Sequence, residues 1–95
     1  AGAAQDQKVQ YEKAISCYEG FLTKRPERTE LWERIAKTYQ VRLQDFDNAV
    51  KYYEIYLAKA KLAPKESGKI SKVVKSLKDI ISKGGLKAMM KEMEE

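Results

Sequence analysis

The sequence contains no histidine and a single cysteine, Cys17, among its 95 residues. One cysteine cannot form an internal disulfide bond, and without histidine the chain has neither a Cys/His zinc cluster nor an imidazole general base. These absences exclude much of enzyme chemistry, so we expect a non-catalytic protein with no cofactor and no metal site. The scarcity of cysteine also favours a reducing, soluble compartment such as the cytoplasm.

Long apolar runs and a secretion signal are missing as well. No stretch approaches the roughly 18 apolar residues that cross a bilayer, so we expect no membrane span. The N-terminus lacks the basic and then apolar pattern of a signal peptide. It begins at Ala1 without methionine, which is typical of a piece of a longer protein or of a tag remnant. A targeting signal upstream of Ala1 therefore stays open.

The charges are nearly balanced along most of the chain. There are 19 Lys and Arg residues against 14 Asp and Glu residues, a net charge of +5, which favours solubility more than it identifies a partner. The exception is residues 65–91, which contain eight lysines against Glu66 and Asp79. Because the chain is short, we expect one compact domain with a modest core.

The spacing of apolar residues predicts an all-α fold. They recur at intervals of three and four, and no stretch alternates with a period of two. Thr29 is a suitable N-cap for a second helix and Asp45 or Asp47 for a third, while Gly84 and Gly85 end a fourth. The expected helices cover about 8–24, 30–43, 46–62 and 65–83, followed by a short helical tail at 86–95. One side of this tail carries Leu86, Met89, Met90 and Met93.

The chain also repeats itself at a shift of 35 residues. Residues 11–22 align with residues 46–57, and four of the twelve pairs are identical. A period of this size is typical of stacked helical repeats, in which each unit buries its apolar side against its neighbours.

The repeating segment resembles the tetratricopeptide repeat. That family has the pattern Trp-x2-Leu-Gly-x2-Tyr, then Ala-x3-Phe and Pro, over thirty-four residues. Here one complete copy follows the second half of another, and one additional residue lies between Val41 and Asp45. The matching residues are Ala14, Tyr18, Pro26, Trp32, Ile35, Ala36, Tyr39, Ala49, Tyr53 and Pro64.

The resemblance implies antiparallel helix-turn-helix repeats, an α-solenoid fragment, over residues 8–64. Residues 65–95 would then be a lysine-rich capping helix and its short tail, and residues 1–7 either a disordered arm or the remnant of a first leading helix. We expect the aromatic motif residues in the core, with Cys17 and Phe21 on the buried side of the first helix. Tyr52 and Tyr56 stay unassigned, because three tyrosines on one helix cannot all be fully buried.

In this family the leading helices line a groove that receives peptides. The residues at the corresponding positions are Glu30, Glu33, Arg34, Lys37, Gln40 and Val41, joined by Lys72 and Lys75 if the fourth helix continues the stack. Chaperone-binding members hold a carboxylate there with lysine and asparagine, but this chain has Glu33 and Lys37 in those places, so no carboxylate clamp is expected. A groove ending in lysines suits a partner with acidic character. The alternative is that these residues are simply solvated.

These features favour a non-catalytic protein–protein interaction module that binds another protein or a peptide. One alternative is a homodimer, in which a second copy covers the open side of the first helix. A less favoured alternative is electrostatic binding of nucleic acid by the lysine-rich segment. That segment lacks arginine and interleaved exposed aromatic residues, so base recognition is not indicated.

Overall fold

The computed structural model describes the backbone of residues 2–84 and the side chains of residues 7–84. This part of the chain consists of four α-helices, one π-helix and their connections, with no strand, which confirms the all-α prediction. The helices are α1 (Gly2–Lys24), α2 (Glu30–Lys37), the π-helix (Thr38–Arg42), α3 (Phe46–Lys59) and α4 (Pro64–Ser82). The predicted tail helix at 86–95, with Leu86, Met89, Met90 and Met93, lies outside the described residues.

Helix α1 is longer than its apolar pattern predicted. It begins at Gly2, well before the expected start near Lys8, so residues 2–7 continue the same helix instead of forming an arm or a separate leading helix. The backbone N–H of Arg25 donates to the carbonyl oxygen of Phe21 at 2.8 Å. Pro26 follows directly, and its missing N–H prevents the helix from continuing.

The start of α2 differs from the expected cap. Thr29 occupies the N-cap position, but its backbone is helical and its side chain accepts no hydrogen bond from the first turn. The backbone N–H of Trp32 donates instead to the carbonyl oxygen of Thr29, at 3.0 Å. Glu30 and Glu33 lie in the first turn, where their negative charge interacts favourably with the helix dipole.

The π-helix accounts for the long connection between α2 and α3. The backbone N–H of Leu43 donates to the carbonyl oxygen of Thr38 at 3.0 Å, a bond spanning five residues where an α-helical bond would span four. The wider turn therefore holds more residues than an α-helical turn, and it overlaps the Val41–Asp45 segment where the additional residue was expected. Gln44 then has a φ of 52°, which reverses the chain before α3.

Helix α3 begins with a side-chain cap at Asp45, one of the two residues, Asp45 and Asp47, that the sequence offered. Asp45 accepts a hydrogen bond from the backbone N–H of Asn48 at 3.3 Å and a second from the side-chain amide of Asn48 at 2.7 Å. The helix ends at Lys59, before the predicted end near Leu62, and residues 60–63 form an extended linker.

Helix α4 has a proline start and a glycine end. Pro64 occupies the first turn, where its missing N–H costs nothing, and Ala63 before it has the extended backbone that proline imposes. At the other end Gly84 has a φ of 100°, a conformation that favours glycine. This confirms the predicted glycine stop.

The core consists of two clusters that share partly buried aromatic residues. The larger cluster holds α3 between α2 and α4, and the smaller one joins α1 to α2. Tyr39 and Tyr52 pack against both clusters. The buried members of the larger cluster are Ala36, Ala49, Val50, Tyr53, Ile70, Val74 and Leu77, and those of the smaller are Ile15, Leu22 and Ile35. Ala36 and Ala49 are fully buried, as expected for small residues where two helices cross closely.

The prediction that Cys17 and Phe21 lie on the buried side of α1 is wrong. Cys17 is exposed and Phe21 retains 46% of its accessible surface. Within the described residues, the backbone of α1 comes close only to α2 and the π-helix, through the side that carries Ile15 and Leu22, and the side chain of Tyr52 on α3 reaches the same side. These neighbours cover one side of the helix, so the apolar residues on the remaining side stay in solvent.

Candidate partner-binding surface

The six candidate residues on the second helix lie along one continuous helical run. Glu30, Arg34, Lys37 and Val41 are exposed, while Glu33 and Gln40 are half-buried. Their spacing of three, four and seven residues places them along one side of α2 and the π-helix. We call this surface the α2 face; it comprises Glu30, Glu33, Arg34, Lys37, Gln40 and Val41.

Local ion pairs neutralise part of the charge on the α2 face. The ammonium group of Lys37 lies 3.8 Å from the carboxylate of Glu33, and the guanidinium group of Arg28 lies 3.5 Å from that of Glu30. Exposed pairs of this kind contribute at most about 1 kcal/mol each, so a partner can replace them at low cost. Arg34 forms no ion pair with any side chain that the structure describes.

The side chain of Gln40 is held in place by a hydrogen bond from α3. The hydroxyl group of Tyr53 donates a hydrogen bond to the side-chain oxygen of Gln40 at 2.6 Å. Burial, followed by the charge of Glu33, raises the pKa of Tyr53 to about 12, so the hydroxyl remains a donor at neutral pH. The side-chain oxygen of Gln40 thereby accepts a hydrogen bond from the core, which fixes the orientation of its side chain.

The first turns of α2 and α4 form an acidic end of the surface. Tyr56 lies half-buried on α3, and its pKa is raised by burial and then by the charges of Glu33, Glu66 and Glu30. Three carboxylates from two helices therefore act on one hydroxyl group. The sequence analysis did not assign Glu66 to the site, although its place just after Pro64 matches the place of Glu30 at the start of α2.

The structure does not bring Lys72 and Lys75 beside the α2 face. Helix α4 packs on α3, and the described backbones of α2 and α4 are not in contact. At about 100° per residue, Lys72 and Lys75 lie about 200° and 140° around the helix from buried Ile70. Both are exposed on the outer side of α4.

Half of the lysines on α4 and its C-cap are paired with carboxylates. Lys78 reaches Glu54 of α3 at 3.3 Å, and two further local pairs join Lys69 to Glu66 and Lys83 to Asp79. In the described part of the helix, the lysines without an acidic partner are Lys65, Lys72 and Lys75. The outer side of α4 is therefore its basic side.

The motif residues mostly occupy the core. Ile35, Ala36, Ala49 and Tyr53 are buried, while Pro26 and Pro64 are exposed at helix ends. The half-buried motif residues are Ala14, Tyr18, Trp32 and Tyr39.

Tyr52, which the sequence left unassigned, lies at the centre of an aromatic stack. Its ring stacks on Trp32 at 5.8 Å and on Tyr39 at 5.5 Å between centroids. Its hydroxyl group donates to the carboxylate of Glu19 on α1. Burial, together with this bond, raises the pKa of Tyr52. The side-chain N–H of Trp32 is buried without a partner among the described residues, which costs about 1–3 kcal/mol.

The described residues also bear on membrane and metal sites. None of these helices is long and apolar enough to cross a membrane. Within the same residues, no group of three or more His, Cys, Asp or Glu side chains is arranged to hold a metal ion. Comparison with protein-family models, curated proteins and solved structures finds no match to the chain. The resemblance to the tetratricopeptide repeat therefore rests on the motif residues themselves.

Proposed function

We propose that the chain is a non-catalytic protein–protein interaction module of the tetratricopeptide type, and that its α2 face receives a peptide or helical segment of another protein. The observation that carries this proposal is Val41. It retains 61% of its accessible surface, the most of any large apolar residue in the described part of the chain, and it lies on the π-helix among charged residues. Short π-helical turns occur frequently at functional sites.

The backbone around Val41 is supported on both sides. Gln40 accepts its hydrogen bond from Tyr53, and the guanidinium group of Arg42 lies 5.7 Å from the centre of the Tyr11 ring on α1. The hydroxyl group of Thr38 also donates to the carbonyl oxygen of Arg34, at 2.8 Å. A binding residue held by contacts of this kind loses little conformational freedom when a partner arrives.

The charges of the surface favour one orientation of the partner. Glu30, Glu33 and Glu66 make one end acidic, whereas Arg34 and Lys37 present positive charge along α2. A segment with basic residues at one end and acidic character along the rest would match this arrangement and would be disfavoured in reverse. The basic outer side of α4, with Lys72 and Lys75, is a separate surface in this proposal.

Selection from a displayed library of random peptides tests the proposal while the partner is unidentified. Enriched peptides are titrated against the wild-type chain and against Val41→Asp and Lys37→Glu. Because both residues are exposed, neither variant disturbs the core, and we expect the Kd to rise about tenfold or more, which corresponds to about 1.4 kcal/mol.

Lys24→Glu is the matched control, since it makes the same charge change at an exposed position on α1. It should leave the Kd within about twofold of the wild-type value at moderate salt. Equal Kd values for wild type, Val41→Asp and Lys37→Glu would remove the α2 face from the proposal.

Self-association is the second candidate, and the outer side of α1 favours it. Val9 and Phe21 retain 47% and 46% of their accessible surface there, and Cys17 is exposed between them. A symmetric dimer would cover these residues with the same residues of a second copy. Light scattering should then show a mass that rises with concentration for the wild type and stays monomeric for Phe21→Lys. A monomer at every concentration would eliminate the dimer.

A further inference from the structure

A cleft lies between α1 and α3. The described backbones of these two helices are not in contact, and a space of about 380 Å³ separates them. Trp32 of α2 lines this space, and it lies about 140° around its helix from Lys37 of the α2 face. We call the space the α1–α3 cleft; its lining includes Glu19, Leu22, Trp32, Lys51, Tyr52 and Ile55. None of these residues belongs to the α2 face, so the cleft is separate from the site proposed above.

The cleft has apolar walls. Leu22 is buried on the α1 side, and Trp32 and Ile55 are half-buried on α2 and α3. Sites for small ligands are typically clefts of about 300–1,000 Å³ that combine such walls with a few polar groups. The α1–α3 cleft therefore has the size and the lining of a small-ligand site.

Two charged side chains lie at the cleft, one on α1 and one on α3. The carboxylate of Glu19 accepts the hydrogen bond from the hydroxyl group of Tyr52. Lys51 is exposed, with its ammonium group 5.5 Å from the centre of the Tyr52 ring, and it forms no ion pair with any side chain that the structure describes. A cation without a counter-charge beside an apolar space favours a ligand that brings a carboxylate. The negative charge of Glu19, on the other helix, directs this carboxylate towards Lys51.

We propose that the α1–α3 cleft binds a small monocarboxylate with an apolar body, either aromatic or branched aliphatic. The body packs among Leu22, Trp32 and Ile55, and the carboxylate pairs with Lys51. Burial of the body provides most of the affinity, because an exposed ion pair contributes little by itself. For a ligand of about ten non-hydrogen atoms we expect a Kd of about 1 mM.

The fluorescence of Trp32 tests the proposal directly, since it is the only tryptophan in the sequence. The wild-type chain is titrated with phenylacetate and with 4-methylpentanoate at moderate salt. Phenylacetamide is the matched neutral probe and phenethylamine the matched cation. We expect a saturable change with a Kd of about 1 mM for both acids, and a Kd at least about fivefold higher for the amide and the amine.

Three variants test where the acid lies. Lys51→Met keeps the apolar stem and removes the charge, so phenylacetate should then bind only as weakly as phenylacetamide. Lys72→Met makes the same change on the outer side of α4 and should leave the Kd within about twofold. Ile55→Phe takes up space in the cleft and should raise the Kd of both acids at least about fivefold. Circular dichroism checks that each variant is folded.

A ligand between α1 and α3 should also hold α1 in place. With about 10 mM phenylacetate, hydrogen exchange in α1 should slow by up to about tenfold, while exchange in α4 stays unchanged. The proposal would be overturned by the absence of a saturable change with both acids, or by equal Kd values for phenylacetate and phenylacetamide. It would also be overturned if Lys72→Met weakened binding as much as Lys51→Met, or if Ile55→Phe had no effect. None of these outcomes alters the test of the α2 face.

Discussion

The two clusters of the core differ in how firmly they hold their helices. In the larger cluster α3 is packed on two sides, by α2 and by α4, around fully buried Tyr53. In the smaller cluster the described part of α1 is packed on one side, where Ile15 and Leu22 meet Ile35 of α2. Proteins open locally where few apolar contacts hold an element, so α1 is expected to separate before α2, α3 and α4 unfold. The difference teaches that one chain can combine three firmly packed helices, α2, α3 and α4, with a helix, α1, whose packing contacts are more easily exchanged.

Removing Tyr53 should give the largest loss of stability, because it lies at the centre of the larger cluster. Tyr53→Ala leaves a cavity between α2, α3 and α4 and frees the side-chain oxygen of Gln40. We expect the free energy of unfolding to fall by about 3–5 kcal/mol, measured by urea denaturation. Tyr53→Phe, which keeps the ring and loses the hydrogen bond, should cost only about 1 kcal/mol. Similar costs for both variants would show that the ring is not the central element.

Removing Leu22 should have a smaller and more local effect. Leu22→Ala weakens the one cluster of described residues that holds α1, and we expect a loss of about 2–3 kcal/mol. Hydrogen exchange should accelerate in α1, while the amides of α3 keep their protection. Phe21→Ala is the control at the neighbouring position, and because Phe21 is largely exposed it should cost within about 0.5 kcal/mol. Uniform acceleration along the whole chain would contradict the difference between the two clusters.

The smallest effect concerns the hydrogen bond from Tyr52 to Glu19, which links α3 to α1. An unfolded tyrosine has a pKa of about 10. Burial raises the pKa of Tyr53 to about 12, and burial with the bond to Glu19 also raises the pKa of Tyr52. The folded chain thus holds these protons more tightly than the unfolded chain does. The stabilisation is complete below about pH 10 and is lost as the pH rises from about 10 through the folded values.

Tyr52→Phe separates the contribution of this bond from that of burial. It should cost about 1 kcal/mol at neutral pH and should make the decline of stability above about pH 10 shallower. Urea denaturation of both chains at a series of pH values measures the two slopes. If the free energy of unfolding of the variant equalled that of the wild type at every pH, the hydrogen bond between α1 and α3 would not stabilise the fold.

Much of the fold could be predicted from the sequence, because apolar spacing and caps are local signals. The interval of three and four identified the helices, Asp45 or Asp47 was the expected start of α3, and Gly84 with Gly85 was the expected end of α4. The start of α1 was missed because residues 2–7 carry no large apolar side chain, although alanine and glutamine favour helix without one. The exposure of Cys17 and Phe21 was missed because an apolar stripe does not reveal how many neighbours will cover it.

The candidate surface was only partly predictable, since it depends on contacts between helices. The six residues of the α2 face were predicted from the resemblance to the tetratricopeptide repeat, and because they lie on one helical run their common side could be predicted from spacing alone. The contribution of Glu66 depends on α2 and α4 beginning at the same end of α3, which no local pattern indicates. The separate position of Lys72 and Lys75 depends on the packing direction of α4, which its own sequence leaves open.

The π-helix also affects how the chain tolerates changes of length. A residue inserted in an ordinary α-helix rotates every later side chain by about 100° relative to the earlier ones. Here the wider turn lies at Thr38–Arg42, at the end of α2. The backbone N–H of Asp45 then donates to the carbonyl oxygen of Tyr39 at 2.8 Å, and α3 begins directly afterwards. The rotation is therefore confined to the end of α2. Ala36 before the π-helix and Ala49 after it are both fully buried. This junction is therefore a point at which the connection between α2 and α3 can change its length while the apolar sides of both helices still meet.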